Sequence, residues 1–291
     1  EAYFDTVNHD KLISILRERV FDSATLHLIR KFLQAGIMEK GVVKSNTIGM
    51  PQGGPLSPIL SNIYLDRFDK ELESRGLHFV RYADASNIFV KSEMAANRDM
   101  KSVTSWLERK LFLKVSATKT KVVRPTNSNF LGFTYWKGSS KSECKPSNKS
   151  KRSLYDKCRR ELIRKRCMAQ TNARTFTRIN QIVRGWINYF RIGKMKGFID
   201  EFGQWLRHKI RVILFKQWKK PKRIYINLQK LNKVLPYHFS DEQIYSVANT
   251  RRGLYRQTGM RVANFLLNPE VLAIGKEDRP GLVNPLTYYL R

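Results

Sequence analysis

Residues 79–90 read Phe79-Val80-Arg81-Tyr82-Ala83-Asp84-Ala85-Ser86-Asn87-Ile88-Phe89-Val90. Apolar and β-branched residues stand on both sides of a short Ala-Asp-Ala-Ser segment, a pattern that predicts two strands joined by a tight turn. Such a hairpin holds the Asp84 carboxylate at its tip, beside the backbone bend. Carboxylate oxygens are the ligands that hard divalent cations prefer, so the tip is a candidate metal site.

The net charge of the 291-residue chain is +31, which is unusual for a protein long enough to form two compact domains. Residues 141–291 carry 34 Lys and Arg against 10 Asp and Glu, whereas residues 1–140 carry 21 against 14. Positive charge at this density attracts polyanions. Nucleic acid is therefore the expected partner and an acidic membrane surface the alternative. No run of 18 apolar residues is present, so we expect no membrane-spanning segment.

The cysteines are Cys144, Cys158 and Cys167, and they lack the Cys-x-x-Cys or Cys/His spacing of a zinc site. We expect three reduced thiols in a cytoplasmic protein and no zinc-dependent nuclease module. The sequence opens at Glu1, without a methionine, inside a segment whose pattern is that of a strand. We therefore expect it to be part of a longer chain.

The first 137 residues alternate helical and strand patterns, which predicts an α+β domain with a small antiparallel sheet. Asp10 is the expected cap of the first helix, and the Pro and Gly residues of segment 50–58 predict a rigid loop. The remaining predicted elements are a strand ending at residues 2–5, helices over 23–35, 59–75 and 93–110, a polar hairpin over 41–49, a strand and turn over 112–123, and a short hairpin over 130–135.

The composition changes near Gly138, where Gly, Ser, Lys and Asn become frequent, and we place a domain boundary there. Beyond it, residues 138–220 predict basic helices over 154–170, 175–189 and 203–218. Aromatic residues at helical spacing are expected in the core, which leaves the lysines and arginines of the other faces for phosphate contact. Residues 221–291 form a third region whose elements the pattern does not resolve, and we expect it to bind DNA or RNA.

Further motifs surround the hairpin in a fixed order: Ala2-Tyr3-Phe4-Asp5, Pro51-Gln52-Gly53, Tyr82-Ala83-Asp84, Lys119-Thr120 and Leu131-Gly132-Phe133. This order resembles the palm motifs of reverse transcriptases, whose box is Tyr-Ala-Asp-Asp. The stretches 186–190 and 205–219 resemble the thumb, or maturase domain, of group II intron-encoded proteins, and the stretch 249–256 with the tail resembles the bacterial members of that family. By this resemblance we expect the endonuclease-lacking bacterial class. The resemblance covers nearly the whole chain and implies a right-hand polymerase palm followed by an α-helical thumb.

The resemblance also implies roles for individual residues of the palm. Asp84 would bind catalytic metal, Phe4 would be the steric gate against a 2′-hydroxyl, and the backbone at Ala2 and Tyr3 would face the triphosphate. The other roles concern nucleotide and primer: Gln52 and Gly53 at the incoming nucleotide, Lys119 near the triphosphate, and Leu131, Gly132 and Phe133 as the primer grip. The alternatives are a core position for Phe4, loop hydrogen bonding for Gln52 and plain surface charge for Lys119.

The basic helices supply the expected RNA contacts. These candidates are Arg184, Arg191, Lys194, Arg207, Lys209, Arg211, Lys216 and Lys219.

Two departures from the family pattern concern the carboxylates of the expected two-magnesium site. The second Asp of the hairpin box is replaced by Ala85, whose methyl group cannot bind a cation. The first metal-binding Asp of the family would stand two residues upstream of Glu1, and Asp5 is expected to support the following turn instead. Losing ligands from a two-metal site costs orders of magnitude in rate. We therefore expect an inactive variant, either engineered or naturally degenerate.

Three functions remain open. The first is an RNA-directed DNA polymerase that also assists splicing of its intron RNA, with a DNA target or primer and deoxynucleotides as further partners. The second is a splicing maturase whose palm is only a scaffold. The third, a general basic nucleic-acid-binding protein, does not account for the ordered motifs. By the resemblance we expect a bacterial, cytoplasmic protein, and the oligomeric state stays open.

Overall fold

In a computed structural model of the chain, the structure describes residues 3–35, 37–39, 42–44, 47–51, 53–138, 141–236, 238–275 and 280–291. The Cα packing divides the chain into two compact units, Glu1–Arg124 and Pro125–Arg291. Within the described ranges, helices are combined with small antiparallel sheets, in agreement with the predicted α+β class.

The first unit consists of four longer helices and two hairpins in its described part, preceded by a short 3-10 turn at Tyr3–Asp5. The elements are α1 His9–Arg17, α2 Ser23–Gln34, β1 Ile37–Glu39, β2 Val42–Lys44, α3 Ser57–Ser74, β3 His78–Tyr82, β4 Ala85–Phe89 and α4 Glu93–Leu111. Both hairpins are antiparallel. The predicted polar hairpin over 41–49 overlaps β2, and part of it lies outside the described residues.

Local capping explains where the helices of the first unit begin. Asn8, Asp22 and Ser92 accept hydrogen bonds from backbone N–H groups in the first turns of α1, α2 and α4. The apolar faces of these helices then meet in one core, in which Leu12 and Leu72 are fully buried. Burial of this kind is the main source of stability for such a unit.

Three predictions for the first unit were wrong. Residues 3–5 form a 3-10 turn and not a strand, because the Tyr3 carbonyl accepts from the Thr6 amide in a tight turn. The N-cap of α1 is Asn8, and Asp10 lies within the first turn of the helix. Residues 112–124, all of which the structure describes, contain no strand; Phe112 ends α4 in a left-handed conformation with φ +53°.

The second unit combines a three-stranded antiparallel sheet with a group of helices. The strands are β5 Asn129–Phe130, β6 Phe133–Lys137 and β7 Ser142–Pro146. The helices are α5 Asn148–Glu161, α6 Arg164–Ala169, α7 Asn172–Phe190, α8 Lys196–Trp218, α9 Pro221–Val234, α10 Asp241–Asn249, α11 Leu254–Thr258, α12 Arg261–Leu266, α13 Pro269–Ala273 and α14 Pro285–Leu290.

The core of the second unit is formed by the inner faces of these helices, and Leu154, Ile187, Phe202 and Phe215 are fully buried in it. The aromatic residues at helical spacing thus contribute to the core as expected. Residues 221–291, whose elements the sequence left open, are mostly helical. No helix in the described ranges is long and apolar enough to cross a bilayer.

The division between the two units falls before Pro125, thirteen residues upstream of the boundary expected near Gly138. The strands β5 and β6 precede that expected boundary but pack with the second unit. Phe133 shows why: its ring lies 4.9 Å from that of Phe190 on α7. The sheet therefore belongs to the same compact unit as the basic helices.

Candidate active site and nucleic-acid interface

The hairpin β3–β4 forms as predicted, with Tyr82 opposite Ala85 and a two-residue turn of Ala83 and Asp84 between them. Ala83 has φ +51°, a left-handed conformation that is uncommon outside glycine. Asp84 is exposed at the tip. Among the residues that the structure describes, none forms an ion pair or hydrogen bond with the Asp84 carboxylate, so its oxygens are open to solvent.

Arg81 connects this tip to helix α3. Its guanidinium forms a bidentate ion pair with Asp69, with Nε 2.7 Å from Oδ1 and Nη2 2.5 Å from Oδ2. The remaining nitrogen, Nη1, donates to the Ala83 carbonyl at 2.9 Å and to Asn62 Oδ1 at 3.2 Å. The hydrogen bonds with Asp69 raise the pKa of Arg81. The Arg81 side chain thus forms hydrogen bonds with both the hairpin turn and helix α3.

Tyr3 lies close enough to the tip to respond to its charges. The Tyr3 hydroxyl donates to the Ser61 carbonyl at 3.4 Å. Burial raises the pKa of Tyr3 to about 12, and the negative charge of Asp84 adds to that rise while Arg81 opposes it. The Tyr3 hydroxyl is therefore protonated at neutral pH. The structure brings this predicted residue near Asp84.

Phe4 is half-buried and its backbone holds the predicted nucleotide loop. The Phe4 carbonyl accepts from the Met50 amide at 2.6 Å, and the Val7 carbonyl accepts from Gly49 at 2.8 Å. Gly49 has φ +98°, and a Cβ atom there would stand 2.7 Å from the Phe4 oxygen. Only glycine allows this close approach.

The structure does not bring the other predicted nucleotide-binding residues into contact with Asp84. Gly53 is exposed, and no atom lies within 4 Å of the place that a Cβ atom would take. Its φ of +83° alone accounts for a glycine at this position. Lys119 is exposed in a turn whose amide donates to the Ser116 carbonyl, and no contact within the described ranges joins Lys119 to Asp84. Ala2 and Gln52 lie outside the described residues.

The donor set at the tip fits one ligand of a divalent cation and not a complete two-metal site. Asp84 offers two accessible carboxylate oxygens, whereas Ala85 offers none. Across the described part of the chain, no three His, Cys, Asp or Glu side chains converge as a metal group would require. The arrangement can hold a cation weakly but does not by itself supply the paired sites that nucleotidyl transfer needs.

The predicted primer grip is a tight turn in the second unit. Leu131 and Gly132 both have positive φ and join β5 to β6, the geometry of a two-residue hairpin turn. The Leu131 carbonyl accepts from the Tyr189 hydroxyl at 3.1 Å, and the Gly132 carbonyl accepts from the Ser147 amide and the Ser150 hydroxyl. Helices α5 and α7 thus hold this turn in place.

The predicted RNA-binding cations divide by exposure. Arg184, Arg191, Lys194 and Lys219 are exposed, whereas Arg207, Lys209 and Lys216 are half-buried.

Arg211 is the exception among the predicted contacts, because it is only 7% exposed. Its guanidinium donates to the Leu267 carbonyl at 3.0 Å and also bonds Asn264. Burial, assisted by the nearby charge of Arg207, lowers the pKa of Arg211 to about 10. Arg211 therefore forms hydrogen bonds inside the unit and is not available on its surface. We remove it from the predicted RNA contacts.

Two of the exposed cations flank an aromatic ring that the sequence did not single out. The guanidinium carbons of Arg184 and Arg191 lie 5.7 and 5.9 Å from the centre of the Tyr288 ring. Arg191 also donates to the Tyr288 carbonyl at 2.9 Å. Cation–aromatic contacts hold these guanidinium groups in place without neutralising their charge. The contact joins α7 to α14 across 97 residues, so spacing alone could not reveal it.

Comparison with known families supplies the identification. Residues 1–135 match the family described as reverse transcriptase (RNA-dependent DNA polymerase), and residues 151–231 match the maturase-specific domain of group II introns. Residues 1–135 are thus similar to a reverse transcriptase domain, and residues 151–231 to a group II intron maturase domain. The predicted family thus agrees with the matches, and the hairpin that bears Asp84 lies within the reverse transcriptase domain.

Several curated proteins are similar to parts of the chain. The putative COX1/OXI3 intron 2 protein of Saccharomyces cerevisiae is 37% identical over 123 residues, which are 42% of this chain and 13% of that protein. The protein YkfC of Escherichia coli is 42% identical over 76 residues, 26% of this chain and 20% of YkfC. The group II intron-encoded protein LtrA of Lactococcus lactis is 43% identical over 67 residues, 23% of this chain and 11% of LtrA. The chain therefore spans only a small part of these relatives.

Proposed function

We propose that this chain derives from an RNA-directed DNA polymerase that also assists the splicing of a mobile group II intron, and that the chain itself binds intron RNA without polymerising. The observation that carries the proposal is the hairpin tip, where Asp84 is open and fixed while the neighbouring position 85 holds a methyl group. A two-metal site needs several carboxylates, so the tip as it stands should not support turnover.

The roles of individual residues in the polymerase follow the resemblance. Asp84 would hold a magnesium ion, which when bound activates the attacking 3′-hydroxyl or stabilises the leaving phosphate. Phe4 would exclude a 2′-hydroxyl, and Lys119 would approach the triphosphate of a deoxynucleotide. The proposed role of Phe4 is supported by the hydrogen bond that its carbonyl accepts from the Met50 amide. Met50 precedes Gln52 and Gly53, which the resemblance places at the incoming nucleotide. The turn of Leu131, Gly132 and Phe133 would hold the primer end.

Binding of intron RNA is supported by the charge of the maturase domain. Residues 141–291 carry 34 Lys and Arg against 10 Asp and Glu. The exposed cations on α7 and at the end of α8 present that charge to solvent. Folded RNA is recognised mostly through shape and sugar–phosphate contacts, which suits such a surface. Residues 221–291 would extend the surface toward the DNA target.

Finer points of the proposal concern the origin of the chain. We propose a bacterial origin and a cytoplasmic location. The proposed domains are the palm over 1–137, the thumb or maturase domain over 138–220 and a basic region over 221–291. The E. coli and L. lactis relatives are bacterial, whereas the S. cerevisiae relative is not.

The second candidate is a splicing maturase in which the palm serves only as a scaffold. The replacement at position 85 favours it, because a scaffold does not require the carboxylate. The two candidates differ in whether the palm regains activity when the carboxylate is restored.

Primer extension on a long structured RNA template with magnesium is the test. The unchanged chain should not extend the primer yet should bind the template. Ala85→Asp, made in a chain extended upstream, should then polymerise deoxynucleotides, with Ala85→Asn in the same extended chain as the matched control that stays inactive. Extension by the unchanged chain would overturn the proposed inactivity. Inactivity of the restored chain would favour the scaffold, and equally tight binding of an unstructured RNA of equal length would count against both.

A further inference from the structure

We infer that Arg81 is a positioning residue that fixes the Asp84 carboxylate relative to helix α3. The inference deepens the proposed function and rests on it, because it concerns how the candidate metal ligand is held. It does not depend on the missing carboxylate at position 85.

The geometry of the guanidinium supports this role. Arg81 lies on β3 and uses all three of its nitrogens, two on Asp69 and the third on both Asn62 and the Ala83 carbonyl. Its side chain is 13% exposed and that of Asp69 is 23% exposed. Charged hydrogen bonds of this bidentate kind are both stronger and more directional than a single surface ion pair.

The bond to Ala83 reaches Asp84 through one rigid group. The Ala83 carbonyl and the Asp84 amide belong to the same planar peptide unit, so fixing the carbonyl also fixes the plane from which Asp84 projects. Ala83 has a left-handed φ of +51°, a conformation that is unfavourable for a residue with a Cβ atom. The hydrogen bond from Arg81 therefore opposes relaxation of the turn to a more common conformation.

The same arrangement keeps Asp84 available for a cation. The positive charge of Arg81 is matched by its ion pair with Asp69. Asp84 forms no ion pair with any residue of the described ranges, although its charge is close enough to raise the pKa of Tyr3. Arg81 therefore positions the carboxylate without occupying it.

Another arginine, Arg75 at the C-terminal end of α3, provides a matched control. Arg75 forms an ion pair with Glu71 at 2.6 Å, four residues earlier on α3, and both side chains are 26% exposed. This pair resembles Arg81–Asp69 in chemistry and burial but has no contact to the hairpin turn. Arg75→Lys should therefore reproduce any general effect of an arginine substitution.

The experiment uses the full chain and two readouts on Arg81→Lys, Asp69→Asn, Arg75→Lys and Asp84→Asn. Lysine keeps the charge but cannot bond Asp69 in a bidentate manner and reach Ala83 as well. The first readout is hydrogen exchange of the amides of residues 83–86 without metal. The second is the paramagnetic broadening of the same amide signals by Mn²⁺ used alone as the probe.

We expect Arg81→Lys and Asp69→Asn to speed amide exchange at the tip about tenfold, because the Ala83 carbonyl loses a charged hydrogen bond or the anchor that holds it. The same variants should need several times more Mn²⁺ for equal broadening. Arg75→Lys should change neither readout, and Asp84→Asn should abolish the broadening.

The remaining outcomes separate the positioning role of Arg81 from the metal-binding role of Asp84. If Asp84→Asn abolishes the broadening but Arg81→Lys changes neither readout, the inference is overturned and the metal role of Asp84 stands. If the broadening survives Asp84→Asn, that metal role fails, and tip exchange alone decides whether Arg81 holds the turn. Faster exchange throughout residues 1–124 in both Arg81→Lys and Asp69→Asn would make the pair a general stability element and overturn the inference.

Discussion

Arg211 on α8 donates from Nε to the carbonyl of Leu267 at 3.0 Å, and this single bond joins residues 56 positions apart in the maturase half of the chain. Sequence analysis assigned Arg211 to RNA, because it stands in a basic helix between Lys209 and Lys216. Burial excludes that assignment. A cation this deep in a domain must be matched by hydrogen-bond acceptors, and the carbonyls and amide oxygen near Leu267 and Asn264 supply them.

The first prediction concerns this buried arginine. Arg211→Met should lower the free energy of unfolding of the second unit by about 2–3 kcal/mol, because it leaves buried acceptors without a donor. The melting temperature should fall by roughly 4–10 °C. Thermal unfolding followed by circular dichroism measures this. Lys219→Met, an exposed substitution at the end of the same helix, is the control and should cost less than about 0.5 kcal/mol. Equal costs for both would contradict the buried role.

The second prediction concerns Gly132 in the predicted primer grip. Gly132→Ala places a Cβ atom 2.8 Å from the Ser150 hydroxyl at a residue with φ +79°. Gly76→Ala is the matched control, since φ is +67° and no atom lies within 4 Å of the added carbon. Both variants should lose about 1–2 kcal/mol through backbone strain. Chemical denaturation should show a further loss only for Gly132→Ala. An equal loss for the two would mean that the turn can move away from α5.

Local signals made part of this fold predictable. The hairpin β3–β4 follows from alternating strand residues on both sides of a turn, and its pairing confirms the prediction. The turn at residues 3–5 does not follow from such a pattern, because Tyr3 and Phe4 are typical strand residues. Besides the local bond between Tyr3 and Thr6, the turn accepts a hydrogen bond from the Met50 amide, which lies 46 residues beyond Phe4. Distant contacts of this kind are absent from local sequence patterns.

The helices after residue 220 show a different limit. Several of them have five to nine residues, too few for a helical period to emerge from the sequence. Their capping signals were nevertheless visible. Ser240 forms a capping box with Gln243, and Asn268 stands before Pro269 at the start of α13. The starts of these two helices are therefore marked in the sequence by their caps and not by their periodicity.

The candidate site was predictable only where one residue acts alone. The exposed position of Asp84 follows from its place in a turn. Its support by Arg81 does not, because Asp69 stands 12 residues earlier on a helix whose orientation the sequence leaves open. Partners of a site residue thus require the packing of the elements, which only the structure supplies.

The third prediction concerns pH. Burial, followed by the nearby charges of Arg211 and Lys209, lowers the pKa of His208 below 6.5, although a hydrogen bond with the Tyr255 backbone opposes the shift. The unfolded chain then binds the proton more readily, so stability should fall as the pH drops below 6.5. The melting temperature should therefore decrease between pH 7 and pH 5.

The control for this prediction is another histidine of the same unit. His208→Gln should reduce the acid-dependent fall in melting temperature, whereas the exposed His238→Gln should leave it unchanged. Both variants are measured by thermal unfolding at several pH values. An identical fall in His208→Gln and the parent chain would rule out His208 as the group responsible.

The fourth prediction concerns the thiols. Cys158 is fully buried, and burial raises its pKa to about 12; burial also raises the pKa of Cys167. Because the thiolate is the reactive form, iodoacetamide at pH 8 should modify the half-buried Cys144 first. Peptide mass spectrometry measures the extent at each site. In guanidinium the three thiols should react alike, and equal native rates would contradict the burial of Cys158 and Cys167.

The last prediction separates charges that are free from charges that are already paired. Lys194 lies 2.6 Å from Glu143 and lowers the pKa of that carboxyl, whereas Lys219 forms no ion pair within the described ranges. Each lysine that neutralises an RNA phosphate should contribute about −0.7 to −0.9 to the slope of log affinity against log salt. Lys219→Ala should therefore make the slope less steep by nearly that amount. Lys194→Ala should change the slope less, because Glu143 already neutralises part of the charge of Lys194. Filter binding of a structured intron RNA at several salt concentrations measures both slopes. If Lys194→Ala had the larger effect, RNA would have to displace Glu143 from Lys194, and Glu143→Gln alone would then tighten RNA binding.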